Sequence, residues 1–225
     1  MKTILRYAIG VAALLVLVAA KNVTATNLAA TNDETRLALP SSPPRPVKPA
    51  GKVLFSDDFS KGLHAWSPDR EGVWTVVRGM LRADLPDQKQ LRSLIYAGDT
   101  SWTDIAVDVD VCMMRGVDKG VVVRVMDNVG LGVDLRGGGY QDVLVYQREL
   151  PMGRASATNA NGTWNHLRLE VKGAHFKVFV NGELKIERTE LKFIRPKGRI
   201  ALPAYTGGVG QCTVYYDNVV VTALE

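Results

Sequence analysis

Cysteine is scarce: two residues in 225, which excludes a disulfide-dense scaffold and a multi-cysteine zinc module. Long apolar runs are scarce too. The one candidate is Tyr7–Ala20 (YAIGVAALLVLVAA), fourteen uncharged residues. As a helix it would cover about 21 Å against a hydrocarbon core of about 30 Å, so a multispanning membrane protein is excluded. A one-signed charge is missing from the body. The formal charge of +5 arises mostly at the start, where residues 1–50 hold six of the 28 basic and two of the 23 acidic residues, leaving 22 against 21 in 51–225. No basic footprint for phosphate backbones remains, so nucleic acid is excluded as a partner. What is present, 46% hydrophobic and 23% charged residues, is the composition of a globular domain.

The basic start, Met1 to Arg6, followed by the apolar run, has the layout of a signal peptide over residues 1–20. Export is expected, to the periplasm, the medium or the cell surface, with membrane contact only through this segment if it stays uncleaved. Residues 21–50 follow, with Pro40, Pro43, Pro44, Pro46 and Pro49. Proline at that density fixes φ and removes donors, so this stretch is expected to be an extended linker. The domain proper is placed at 51–225.

From Lys52 onward the pattern has a period of two. In Asp104–Met113, Ile105, Val107, Val109, Val111 and Met113 alternate with Asp104, Asp108 and Asp110, predicting a strand with one buried and one wet face. Leu131–Arg136 and Trp164–Val171 repeat the alternation. Asn181-Gly182 is a strong two-residue hairpin signal, and Arg78-Gly79 a weaker one. About a dozen such runs at short spacing predict an all-β fold, a two-sheet antiparallel sandwich.

The stretches FSDDFSKGLHAW (55–66), GVWTVVRGMLRAD (72–84), WTDIAVDVDV (102–111), KGVVVRVMDN (119–128), WNHLRLEVKGAHFKVFVNGE (164–183) and GRIALPAYTGG through VYYDNVVV (198–221) resemble, in this order, the concanavalin A-like lectin and glucanase superfamily in its laminin-G-like jelly-roll branch. The layout is similar to the domain known as 3-keto-disaccharide hydrolase. The resemblance implies a jelly-roll sandwich and a glycan or other extracellular polysaccharide as partner. No cofactor is required, but a structural calcium is implied where the first strand meets the last, with Asp57, Asp58 and Asp217 as its carboxylates. The glucanase string E-x-D-x-x-E of the superfamily is absent.

Hydrolysis of a glycoside needs two carboxyl groups across the scissile bond, and Asp108 and Asp110, two residues apart on one strand face, have a compatible spacing. The same pair also reads as a solvated strand face. There is no G-x-S-x-G elbow, and His64, His166 and His175 lack metal-ligand spacing. Sugar binding asks for aromatic faces and planar polar groups. The meander 120–148 supplies Arg124, Asp134, Arg136 and Tyr146 as candidate ligand-binding residues beside the Gly-rich RGGGY (136–140). Arg124 interrupts the apolar VVVRVM, so it either opens onto the sheet face or is paired inside, with Asp134 as a candidate partner. Cys112 and Cys212 are an even pair in a chain expected to be exported, and pairing of their strands would set them face to face, so a disulfide is expected, with two buried thiols as the alternative. The expected function is an exported, non-enzymatic glycan-binding module; the alternatives are a hydrolase of the 3-keto-disaccharide type and an adhesion domain for a protein partner.

Overall fold

The computed structural model describes residues 38–46, 48, 51–147, 150–190 and 195–225. The expected signal peptide lies outside the described residues. The strands, in chain order, are β1 (Val53–Asp57), β2 (Ser67–Pro68), β3 (Trp74–Val77), β4 (Met80–Leu85), β5 (Arg92–Ala97), β6 (Ile105–Arg115), β7 (Gly120–Met126), β8 (Val129–Arg136), β9 (Asp142–Gln147), β10 (Leu150–Ser156), β11 (Trp164–Lys172), β12 (His175–Val180), β13 (Glu183–Thr189), β14 (Arg199–Tyr205) and β15 (Cys212–Ala223). They form an eight-stranded sheet ordered β13-β12-β11-β6-β15-β4-β3, with β1 also on β15, and a seven-stranded sheet ordered β10-β9-β8-β7-β14-β5-β2. The pairings are antiparallel. This is the two-sheet sandwich that the alternation predicts.

Local chemistry accounts for the hairpins. Arg78-Gly79 and Asn181-Gly182 have φ of 53° and 77°, and 52° and 81°, the pair of positive angles that a tight turn matched to strand twist requires. The alternating aliphatics fill the space between the sheets: Val107, Val109 and Val111 from β6 and Leu131, Val133 and Leu135 from β8 belong to one core, all fully buried. Tyr216 on β15 crosses the core. Its hydroxyl donates to Pro203 O at 2.7 Å and accepts from Gly120 N at 3.2 Å, tying the centre of one sheet to β14 and β7 of the other.

Two expectations change here. The outward face of β6 is not wet: Asp108 and Asp110 are 5% and 2% exposed. The strand is central, and side chains from β11 and β15 close over it. Residues 38–46 of the expected linker are not a detached spacer. Tyr215 Oη donates to Ala38 O at 3.3 Å, Trp164 Nε1 to Ser41 O at 2.8 Å, and Asn218 Nδ2 to Pro44 O at 3.0 Å.

Candidate functional site

The inward and outward rows of the seven-stranded sheet follow from alternation. On β8, Leu131, Val133 and Leu135 face the core, so Gly132, Asp134 and Arg136 face out. On β9, Val143 and Val145 face in while Leu144 and Tyr146 face out. The outward side chains line a groove of about 640 Å³. Its walls are Tyr146, Leu144, Pro151, Pro203 and Tyr205, and its polar groups are Gln90, Arg92, Asp118, Asp134 and Arg136.

Three of the four predicted ligand residues, Asp134, Arg136 and Tyr146, therefore share one groove. Tyr146 lies over Gly132, its partner across the strands; a Cβ there would fall 2.3 Å from the ring. The phenol points to Asp134 Oδ1 at 3.4 Å, a weak donation. Burial pushes the Asp134 carboxyl up to about 7, the like charge of Asp118 adds to this, and Tyr146, Lys119 and Arg136 only partly oppose it. Burial also raises Asp118. Asp118 rests against the β14–β15 loop, where a Cβ on Gly207, at φ 53°, would meet its Oδ2 at 3.0 Å. Lys119 is fully buried and donates to Val117 O at 3.3 Å; burial draws its ammonium down to about 8.

Arg136 is held flat. Its Nε and Nη2 donate to the two oxygens of Asp142 at 2.7 and 2.9 Å, and its guanidinium lies 4.2 Å from the centre of the Tyr140 ring. Burial acts to raise the Asp142 carboxyl, but Arg136 and Arg154 together hold it below the usual carboxylate range. With its charge committed to Asp142, Arg136 presents a planar edge rather than a free cation. Gln90 and Arg92, just before and at the start of β5, and Tyr205 at the end of β14 complete the groove; Tyr205 Oη donates to Gln90 Oε1.

Arg124 is a correction: it is 1% exposed and makes no part of the groove. A bulge in β7 puts it at φ 52° and turns it toward the sandwich end. There its guanidinium donates to Thr103 O at 2.7 Å, Gly173 O at 2.6 Å, Arg195 O at 3.1 Å and Asp104 Oδ1 at 3.0 Å. The partner is Asp104, not Asp134. The disulfide is a second correction: both thiols are free and buried. Cys112 pairs with Tyr215 and Cys212 with Leu85, and the side chains lie on opposite faces of the sheet, Cys212 in the main core and Cys112 among Met80 and Tyr215 outside it. Burial lifts the thiols to about 11 and about 12 respectively.

Each of the carboxylates considered for calcium accepts hydrogen bonds from its own neighbourhood. Asp57 accepts from Phe59 N at 2.8 Å and from Trp66 Nε1 at 2.9 Å, Asp58 from Ser60 N and Oγ at 3.1 and 2.6 Å, and Asp217 from Asn218 N at 2.7 Å. Burial raises the Asp217 carboxyl to about 6, and the like charges of Asp110, Asp58 and Asp57 add to this; among the described residues no group of three or more His, Cys, Asp or Glu side chains is gathered into a metal-binding cluster.

Asp108 and Asp110 lie on the other sheet from the groove. Between them sits His166, with Nδ1 2.8 Å from Asp110 Oδ1 and Nε2 3.0 Å from Asp108 Oδ1. Arg168 donates to Asp108, and Asn218 Nδ2 to Asp110 Oδ2 at 2.7 Å. The hydrogen bonds that the ring donates to Asp108 and Asp110 raise His166 to about 9. Clamped at both nitrogens, the imidazolium has no proton position free for a substrate.

Residues 52–222 match the family described as the 3-keto-alpha-glucoside-1,2-lyase-like domain. No curated protein matches the chain. Solved structures that share the fold include the following three. The carbohydrate binding module CBM66 from Bacillus subtilis is 16% identical, with a TM-score of 0.60 over 72% of this chain and 98% of its own. The exoplasmic/lumenal domain of VIP36, in a form bound to Ca2+ and Man3GlcNAc, is 13% identical, with a TM-score of 0.59 over 77% and 91%. A putative glycosyl hydrolase from Parabacteroides distasonis is 21% identical, with a TM-score of 0.52 over 75% and 98%. These identities speak for the architecture. The family match spans the sandwich from its first strand to its last, and the chain belongs to the 3-keto-alpha-glucoside-1,2-lyase-like domain family.

Proposed function

We propose that the groove on the seven-stranded sheet binds a glycan, and that the protein acts as an exported carbohydrate-binding module. The observation that carries this is the groove's lining: the rings of Tyr146 and Tyr205 and the faces of two prolines beside planar or ionic groups. Apolar rings pack on sugar C–H faces, while Arg92, Arg136, Asp118 and Asp134 offer fixed donors and acceptors to neighbouring hydroxyls. The fold neighbours include a carbohydrate binding module and a domain bound to Man3GlcNAc, which favours the same reading. The signal-peptide layout of residues 1–20 is the ground for export. The test is a glycan array followed by calorimetry: Tyr205→Ala and Arg92→Ala are expected to weaken binding of the selected glycan at least tenfold. Unchanged affinity in both would overturn the assignment of the groove.

One observation favours a second, catalytic reading in the same place. Asp134 titrates near neutrality, at about 7, next to a second carboxyl group. In a 3-keto-glucoside the carbonyl acidifies the C2 proton. A base that takes this proton lets the C–H pair form the C1–C2 double bond while the C1–O bond breaks with its electrons on the departing oxygen. Asp134 is suited to be that base, and Asp108 and Asp110, which lie on the other sheet, are not. Incubation with a 3-keto-glucoside decides: release of the aglycone that is lost in Asp134→Asn but kept in Asp108→Asn establishes catalysis, and no release at any pH from 5 to 9 leaves binding alone.

A further inference from the structure

We propose that residues 38–46 are an internal ligand, and that the outer face of the eight-stranded sheet around Trp164, Cys112 and Tyr215 is a binding surface for a proline-rich chain, occupied here by the protein's own segment.

A chain as rich in proline as LPSSPPRP has few N–H groups, so its carbonyls are what a partner can grasp. The surface offers matching donors around an apolar cluster. Register places Trp164, Cys112 and Tyr215 in one row across β11, β6 and β15. The two aromatic residues flank the cysteine, and each donates its polar hydrogen outward, Tyr215 to Ala38 O and Trp164 to Ser41 O. Asn218, at φ 50° in the β15 bulge, donates to Pro44 O. Between the first two contacts Leu39 packs on the cluster of Met80, Cys112 and Tyr215. Aromatic side chains that both pack on the chain and donate to its carbonyls are a recurring means of recognising polyproline segments. The stiffness of such segments lowers the entropy lost on docking.

The face is thus read as a site with a separable occupant rather than as a piece of sheet with a loose tail. The reporter is Cys112, which is fully buried beneath this contact, while Cys212 in the main core serves as the internal control. In the full chain under native conditions, Cys112 is expected to resist a water-soluble thiol reagent. In Leu39→Asp it is expected to react about tenfold faster or more, with Cys212 still silent. A synthetic peptide of residues 38–46 added in trans at millimolar concentration is then expected to restore protection, and the same peptide with its prolines replaced by alanine is not. An unchanged Cys112 rate in Leu39→Asp overturns the proposal, as does failure of the peptide to protect. Simultaneous labelling of both thiols, the mark of global unfolding, would make the segment an inseparable part of the fold and equally overturns it.

Discussion

Asp134 carries opposite demands of stability and function. Its pKa is raised from 3.8 to about 7 in the folded chain, so the native state binds its proton more tightly than the unfolded chain does. Stability therefore falls as pH climbs from about 4 to about 7, and the ionised group is tolerated above that at a cost. Asp134→Asn is expected to stabilise the protein at pH 8 by on the order of 2 kcal/mol, measured by urea unfolding, while impairing the groove. Arg124→Ala should do the reverse. It strips four donations from carbonyls and Asp104 at the sandwich end, with an expected loss of about 3 kcal/mol and no change in glycan affinity. His166 titrates in a different window. Raised from 6.5 to about 9, it contributes stability that is complete below about 6.5 and is lost as pH rises through 9. Denaturation midpoints at pH 6, 8 and 10 should fall in that order, and His166→Ala should flatten the decline between pH 6.5 and 9.

At the scale of the element, β8 and β9 build the groove through one glycine. A methyl on Gly132 would meet the Tyr146 ring at 2.3 Å, so Gly132→Ala is expected to tilt the ring and weaken glycan binding at least tenfold, with melting temperature little changed because the added group lies outside the core. Calorimetry on this variant checks it. Elements were the most legible part of the sequence. The alternation of β6, β8 and β11 and the Asn181-Gly182 turn are local signals, and each reports an inward row and a bend directly. What they do not report is the cover over the other side. The pattern DVDV reads as wet, yet His166, Arg168 and Asn218 arrive from β11 and β15 to bury it. Arg124 escaped for a related reason: strict alternation across VVVRVM has no place for a bulge, and the bulge alone decides where the guanidinium goes.

At the scale of the whole molecule, the groove was half legible. Asp134, Arg136 and Tyr146 belong to one meander, so neighbouring strands brought them together as local reasoning expects. Arg92, Asp118 and Tyr205 come from separate elements whose adjacency depends on the strand order of the finished sheet, which no short spacing encodes. The cysteines failed by the same logic. Two residues on adjoining strands meet only if register and face both agree, and here neither does. The denatured, unreduced protein is accordingly expected to show two titratable thiols; fewer than two would contradict the arrangement of β6, β15 and β4.

The position of β15 has a consequence for biosynthesis. This twelve-residue strand pairs with β6, β4 and β1, so the middle of the larger sheet stays open until residues 212–223 have left the ribosome. The blocks on either side, β13-β12-β11-β6 and β4-β3, can pair among themselves but gain their shared central partner only then, which makes closure of the larger sheet a late event.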